Sequence, residues 1–257
     1  VLDAACHGIR FYNRAEDCTA IGNIVKNCRI GLYYKAAFGR RVARRNVVMG
    51  CSYVNFGSGE VQGPFEATGN TFEATSWVVP RVLELDNSNL LVEKHQEQRW
   101  MDVHPDLIAD SYIQDPRFCD PDHLDYRLQA DSPFHGKGPD GKDPGAYPTP
   151  GDVFFVAPDG DDSLDGRSVA SAWRSLNRAN AAMGTGVTVY FAPADYDGIL
   201  KPAASGTDGA PLRIRTHGKQ GRARFAGADL SAVSFVEVED LAFTGPVHVG
   251  GTDNKLT

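Results

Sequence analysis

Two tyrosines and four basic residues occur close together near the start of the chain. Aromatic rings beside cations suit an anionic sugar, because the rings stack on its apolar face while the cations pair with its carboxylate. A basic residue of lowered pKa on an exposed strand could also serve as a general base. The alternative is a solvated basic strip whose tyrosines pack against a strand edge. The residues concerned are Tyr33, Tyr34, Lys35, Arg41, Arg44 and Arg45.

An acidic loop offers a possible metal site. Asp161, Ser163, Asp165 and Gly166 fall at the first, third, fifth and sixth positions of a calcium-binding loop. The glutamate that such a loop needs at its twelfth position is replaced by Ala172. Because only half of the ligand set is present, we interpret the segment as an Asp-rich turn and keep Ca²⁺ as the alternative.

Other catalytic patterns do not emerge from the sequence. A glycosidase needs two carboxylates that flank the scissile bond, but Glu60, Glu66 and Glu73 cannot be assigned to such a pair. The seven histidines lack the spacing of metal ligands. No phosphate-binding glycine motif follows a predicted strand. We therefore predict no nucleotide cofactor and name no catalytic residue.

The composition is that of a protein with a sizeable core. The chain has 257 residues, of which 42% are hydrophobic and 23% charged, and its net charge is -7. The basic residues form no extended run, so nucleic acid is not an expected partner. No apolar stretch approaches the roughly 20 residues that span a bilayer. Five cysteines, an odd number, argue against a closed disulfide framework.

A column of asparagines defines a repeat. Asn23, Asn46 and Asn70 lie 23 and 24 residues apart, in the contexts AIGNIV, ARRNVV and ATGNTF. Such a period is one coil of a solenoid, in which short strands pair with the coils above and below. Stacked asparagine side chains can hydrogen-bond along the column, as in other ladders of identical residues. We therefore predict a structural ladder here rather than catalysis.

A column of cysteines shares the same period. Cys6, Cys28 and Cys51 lie 22 and 23 residues apart, each just ahead of a strand-like run. Free cysteine is among the most buried residue types, so stacked thiols can fill an interior line of a solenoid. We predict packing, not metal binding, for these residues.

The chain changes character near residue 150. Residues 113–148 carry Pro or Gly every few positions, as expected for turns that close a stack, and a stiff linker follows at 148–152. The segment SAWRSLNRANAAMG then predicts a short amphipathic helix between two strands, VFFVAP and GVTVYF. A helix at this place would cap the open end of a second stack. Its apolar face would consist of Trp173, Leu176, Ala179 and Met183.

Two long segments resemble the right-handed parallel β-helix proteins of the pectate-lyase-like superfamily. The closing segment of such proteins is similar to DPRFCDPDHLDYRLQADSPFHGKGPDGKDPGAY. Their opening segment is similar to VFFVAPDGDDSLDGRSVASAWRSLNRAN, followed by GVTVYFAPADYDGIL and SGTDGAPLRIRTHG. Together the matches cover about residues 110–225.

The resemblance implies an all-β chain of two partial right-handed parallel β-helices, with a short capping helix at the start of the second. Residues 1–147 would be the C-terminal part of the first β-helix with its closing segment. Residues 148–152 would be a linker, and residues 153–257 the cap and first coils of the second. Both ends of the chain would then lie within a β-helix.

The resemblance also implies an extracellular or cell-surface protein with a polysaccharide partner. Members of the superfamily act as lyases or glycoside hydrolases, whereas others are adhesive proteins without catalysis, since one fold hosts many activities. Our leading expectation is a protein that acts on or binds uronate-containing polysaccharide, as a lyase if it is an enzyme. The alternative is a non-catalytic surface protein that holds glycan on a rigid rod. End-to-end assembly through open strand edges is a remoter third option.

Overall fold

The computed structural model divides the chain into two compact units. The first comprises Val1–Arg117 and Ser132–Pro148, and the second comprises Phe118–Asp131 and Thr149–Thr257. Strands dominate both units, with one α-helix in the part of the chain that is described, so the prediction of an all-β protein is confirmed. The described residues are 2–3, 7–12, 15–35, 39–58, 65–78, 90–91, 112–113, 115–138, 141–144 and 151–257.

The strands of the first unit pair in parallel wherever they are described. They are β1 Leu2–Asp3, β2 His7–Phe11, β3 Thr19–Ile21, β4 Ile24–Lys26, β5 Ile30–Lys35, β6 Arg41–Arg44, β7 Val47–Ser58, β8 Phe65–Thr68, β9 Thr71–Val78, β10 Leu90–Leu91 and β11 Tyr112–Ile113. One sheet has the order β1-β4-β7-β9-β10-β11; β5 joins it beside β7, and β2 pairs with β5. A separate sheet has the order β3-β6-β8.

Pairing joins residues that lie one repeat apart, so equivalent side chains stack in columns. Ala20 pairs with Ala43, and Ala43 pairs with Ala67, at separations of 23 and 24 residues. All three alanines are buried. Val25 and Val48 pair in the same way on the neighbouring sheet and have no exposed surface. The core of the first unit is therefore made of columns that no single repeat could bury alone.

The asparagine column lies at a repeated corner of the chain. Asn23 Nδ2 donates to Asn46 Oδ1 at 3.0 Å, and Asn46 Nδ2 donates to Asn70 Oδ1 at 2.8 Å. The backbone N–H groups of Asn23 and Asn46 donate to the same two oxygens. Each carbonyl oxygen thus satisfies both the backbone and the side chain of the preceding repeat. The residues just before the three asparagines all have positive φ: Gly22, Arg45 and Gly69.

The cysteine column is buried where it is described. Cys28 and Cys51 have 2% and 3% of their surface exposed, in the core beside Val25 and Val48. Their thiols lie 3.3 and 3.4 Å from the backbone oxygens of residues two positions earlier, and neither cysteine forms a disulfide. Cys6 lies outside the described residues.

The second unit begins with a hairpin and continues as two parallel sheets. Its strands are β12 Phe118–Asp120, β13 Asp125–Leu128, β14 Val153–Val156, β15 Thr188–Phe191, β16 Asp195–Leu200, β17 Leu212–Thr216, β18 Ala223–Leu230, β19 Val236–Glu239, β20 Leu241–Phe243, β21 Val247–Val249 and β22 Lys255–Leu256. β12 and β13 are antiparallel to each other. One parallel sheet has the order β14-β15-β17-β19-β22, and the other has the order β16-β18-β20 with β21 beside β18. Of the predicted linker 148–152, only its last two residues are described.

The helix predicted from the sequence is confirmed as α1, Leu176–Ala182. Ser175 precedes it in an extended conformation, and its side-chain oxygen accepts the N–H of Arg178 at 3.2 Å, which is the geometry of an N-cap. The four residues of the predicted apolar face all lie in the core of the second unit. Their burial holds the helix against β14 and β16.

Candidate functional site

A group of rings around one guanidinium lies on β2 and β5 of the first unit. Arg10 on β2 pairs directly with Tyr33 on β5. His7 begins β2, and Tyr12 follows its last residue. We call these four residues the ring cluster.

Tyr33 is the centre of the ring cluster. Its ring stacks on that of His7, with centroids 5.4 Å apart and planes inclined by 21°, and its centroid lies 6.4 Å from that of Tyr12. The guanidinium carbon of Arg10 lies 4.1 Å from the ring centre of Tyr12 and 5.5 Å from that of Tyr33. Both distances fall within the range of cation–π attraction.

Strand alternation directs Arg10 and Tyr33 outward. Leu32 and Tyr34 on β5 are buried in the core, so Tyr33 between them points to the other side of the sheet. On β2, Ile9 and Phe11 pack against the same core and leave Arg10 exposed. Arg10 and Tyr33 therefore lie on the outer side of paired strands rather than on a loop.

The ring cluster can hold a flat partner that has both apolar and anionic parts. Tyr12 is 37% exposed and Arg10 is exposed, while His7 and Tyr33 are half-buried and fixed by their neighbours. A sugar ring can stack on the tyrosines while Arg10 binds a carboxylate or hydroxyl oxygen.

The prediction that Tyr34 binds substrate needs correction. It has no exposed surface, and its hydroxyl donates to the backbone oxygen of Val42 at 2.8 Å. Burial, with a smaller contribution from the charge of Cys18, raises the pKa of its hydroxyl far above the ordinary value. Its ring lies 4.8 Å from that of Phe11 inside the unit. Tyr34 is therefore a core residue and cannot stack on an external sugar.

Arg41 needs the same correction. Only 1% of its surface is exposed, because it points inward with Ala43 on β6 rather than toward solvent. Burial lowers the pKa of its guanidinium, which the charges of Cys18 and Tyr34 partly offset. An arginine at this position cannot meet a polysaccharide on the surface of the unit.

The remaining predicted cations are spread over different surroundings. Arg44 and Arg40 both donate to the carboxylate of Glu66. Burial alone would raise the pKa of this carboxyl group, but the hydrogen bonds from the two arginines hold it below its ordinary value. Arg45 donates to the backbone oxygen of Asp143 at 3.2 Å. The predicted basic strip is thus divided, and Arg44 is already bound to a carboxylate.

The acidic loop uses its carboxylates on its own backbone. Asp161 accepts the N–H of Ser163 at 2.9 Å, and Asp165 accepts the N–H of Arg167 at 3.0 Å and the hydroxyl of Ser171 at 2.7 Å. These hydrogen bonds lower the pKa of both carboxyl groups. Within the described ranges, no three His, Cys, Asp or Glu side chains are arranged to hold a metal ion. These hydrogen bonds are those of an Asp-rich turn.

Sequence reasoning singled out Tyr33 but missed the other members of the ring cluster. Arg10 precedes Tyr33 by 23 residues, one repeat, so extending the columns back by one coil would have placed the two together. His7 and Tyr12 carry no such signal, because their contacts depend on how β2 enters and leaves the sheet. Lys35 ends β5 two positions after Tyr33 and is the one predicted cation on the same strand.

Comparison of the chain with family models, curated proteins and solved structures gives no significant match. The interpretation of the ring cluster therefore rests on its own geometry. In the described part of the chain, no helix has the length and apolar character needed to cross a membrane.

Proposed function

We propose that this protein binds acidic polysaccharide through the ring cluster, in the extracellular space or at a cell surface. The observation that supports this proposal is that His7 stacks on Tyr33 while the guanidinium of Arg10 lies over the rings of Tyr12 and Tyr33. Rings supply the apolar surface that a sugar face requires, and the guanidinium supplies specificity for an anionic substituent. A parallel-strand scaffold suits a long ligand, since each repeat adds another row of outward side chains.

The proposal includes the finer architecture, two partial right-handed parallel β-helices. It is supported by parallel pairing between residues 23 and 24 positions apart on two separate sheets of the first unit. The asparagine ladder at a repeated corner supports it as well. In the second unit, Thr188 pairs with Arg213 and Leu212 with Val236, again with a spacing of 24 or 25 residues.

A lyase is the second candidate function, and Lys35 is the residue that favours it. It is the last residue of β5, two positions after Tyr33. An amine beside a bound uronate could take the proton whose loss starts an elimination. A binding function requires only the ring cluster, so we place it first.

The binding proposal is tested with the whole chain and immobilised or dissolved polygalacturonate, alginate and neutral galactan. We expect binding to the two acidic polymers, weaker binding to galactan, and a loss of about tenfold in affinity for Tyr33→Ala and for Arg10→Ala, equivalent to about 1.4 kcal/mol each. Arg29→Ala is the matched control, because it removes one exposed arginine outside the ring cluster. Equal affinities for wild type, Tyr33→Ala and Arg10→Ala would refute the proposal.

The lyase reaction is tested in the same samples by ultraviolet absorbance of the unsaturated product. A rise with wild type that disappears with Lys35→Ala, while binding is kept, would establish catalysis at this surface. Binding without any rise in absorbance would leave the protein as a binding module, which is the function we place first.

A further inference from the structure

The outer side of the sheet β14-β15-β17-β19-β22 in the second unit carries two columns. The side chains on this outer side alternate along each strand with those that point into the main core of the unit, as strand geometry requires. The first column runs from Phe155 through Tyr190, Arg215 and Glu239. The second column runs from Val153 through Thr188, Arg213, Glu237 and Lys255.

Both columns change from apolar or neutral residues to charged ones between β15 and β17. On the charged part, Arg213 lies 2.9 Å from Glu237, and Arg215 lies 3.0 Å from Glu239. These ion pairs are partly exposed and suit a face in contact with water. Phe155 on the apolar part is 2% exposed, so this part is covered.

The cover is the hairpin of β12 and β13, and its apolar contact centres on Cys119. This residue has no exposed surface and packs in one cluster with Phe155 and Tyr190. The two rings stack on each other with centroids 5.6 Å apart. His217 meets both rings edge-on and binds the backbone oxygen of Cys119 at 2.9 Å through Nε2.

A carboxylate–guanidinium pair on the hairpin reaches the hydroxyl groups of β15. Asp125 accepts hydrogen bonds from Arg127 Nε at 2.8 Å and from the Tyr190 hydroxyl at 2.8 Å. Arg127 Nη2 donates to the Thr188 hydroxyl at 3.0 Å. Each of the two outer columns is therefore capped by one member of this pair.

At the tip of the hairpin, a histidine hydrogen-bonds to two aspartates. His123 follows β12 and places Nδ1 2.8 Å from Asp120 and Nε2 3.1 Å from Asp240. The side chain of Asp120, almost fully buried, also accepts the N–H of Gly218 at 3.1 Å. The contact is thus polar at its ends and apolar in its middle.

The hairpin touches the sheet without joining it. β12 and β13 pair with each other in a two-stranded sheet, and neither strand continues the ladder of a parallel sheet. An isolated two-stranded hairpin is marginally stable in water, so its order depends on the surface beneath. At the base of the segment, the Ser132 hydroxyl donates to the backbone oxygen of Pro116 at 2.8 Å, and the N–H of Val169 donates to the side-chain oxygen of Gln129 at 2.9 Å.

We propose that the outer face of β14, β15 and β17 is a docking surface for a β-hairpin, and that Phe118–Leu128 of this chain is its ligand, which docks and undocks as one piece. The surface recognises a hairpin that presents a small apolar residue to two stacked rings and an Asp–Arg pair to two hydroxyl groups. The first strands of the second unit are thus covered by a segment that ends more than twenty residues before them in the sequence.

The test uses the full chain and the reactivity of Cys119. Burial raises the pKa of its thiol to about 12, so the docked residue is protonated at pH 8, whereas a free thiol has a pKa of roughly 8.5. Pulses of iodoacetamide, with the label located by peptide mass spectrometry, measure how often the hairpin is undocked. Amide exchange at Val189 and Ile214, both buried in the sheet, is followed in the same samples.

We expect Asp125→Ala to raise the alkylation rate of Cys119 about tenfold while exchange at Val189 and Ile214 stays within about twofold of wild type. Asp122→Ala, an exposed carboxylate in the same segment, is the control and should leave both rates unchanged. Unchanged labelling in Asp125→Ala would overturn the assigned contact. Exchange at Val189 and Ile214 that rises in step with Cys119 labelling would also overturn the proposal, because the hairpin would then open only with the sheet.

Discussion

Tyr33 and Tyr34 are neighbours in the chain, but their rings lie on opposite sides of β5. Tyr33 stacks on His7 at the surface, with centroids 5.4 Å apart, whereas the Tyr34 hydroxyl donates to the backbone oxygen of Val42 inside the unit. The two residues are chemically identical and differ only in the face of the strand that they occupy. Removing the same hydroxyl group from each of them therefore separates a surface role from a core role.

We predict that Tyr34→Phe lowers the free energy of unfolding by about 1 kcal/mol, because a buried carbonyl loses its donor. Tyr33→Phe is expected to change it by less than about 0.5 kcal/mol, as usual for a surface substitution. Urea denaturation of both variants measures the difference. A larger loss for Tyr33→Phe than for Tyr34→Phe would contradict the assignment of the two faces.

The periodic part of the first unit could be predicted from the sequence because identical residues recur at one spacing. Asn46 and Cys51 each have counterparts one repeat away, and the spacing alone predicts that they stack. The face of each tyrosine could not be predicted, since a shift of one residue reverses every side chain of a strand. In the second unit, the apolar residues on both faces of VFFV and TVYF indicate cover on both sides.

What covers the outer side of those strands could not be predicted. The hairpin residue Asp125 meets Tyr190 across 65 residues of sequence, and no repeat or motif links the two. The sequence predicts that this segment closes the preceding repeats. In the structure, β12 and β13 belong instead to the second unit. Long-range contacts of this kind depend on packing rather than on local pattern.

The middle of the asparagine ladder is expected to be its most sensitive position. Asn46 is fully buried, donates to Asn70 and to the backbone of Ala20, and accepts two hydrogen bonds from Asn23. Asn46→Ala should lower the free energy of unfolding by about 2–3 kcal/mol, because it leaves buried partners without hydrogen bonds. Asn23→Ala, which removes only donors, should cost about 1 kcal/mol. Thermal or urea unfolding that ranks the two variants in the reverse order would count against the ladder.

The acidic loop should contribute to stability without calcium. Asp165→Ala removes the acceptor for the Ser171 hydroxyl and the Arg167 N–H, so we expect a loss of about 1 kcal/mol, similar to the loss of a side-chain cap. Millimolar Ca²⁺ should leave the melting temperature of the wild type unchanged. A rise of several degrees with Ca²⁺, absent in Asp165→Ala, would instead establish the calcium site.

Asp125 should make the stability of the second unit depend on pH in the acidic range. Burial alone would raise the pKa of its carboxyl group, but the hydrogen bonds and charge of Arg127 and the Tyr190 hydroxyl hold it below the ordinary value. The unfolded chain, with an Asp pKa of about 3.9, then binds the proton first as the pH falls. Stability due to Asp125 is therefore complete above about pH 5 and is lost as the pH falls through the lowered pKa of the folded state.

The measurement needs a reporter in the second unit alone. Replacing Trp77 and Trp100 with Phe leaves Trp173, which is buried in that unit, as the single tryptophan. The urea midpoint of its fluorescence should fall more steeply between about pH 5 and pH 3 in this background than in Asp125→Asn, which has no proton to gain at the site. Asp122→Asn removes an exposed carboxylate from the same hairpin and should keep the full slope. If Asp125→Asn kept that slope as well, the acid sensitivity would arise from other carboxylates.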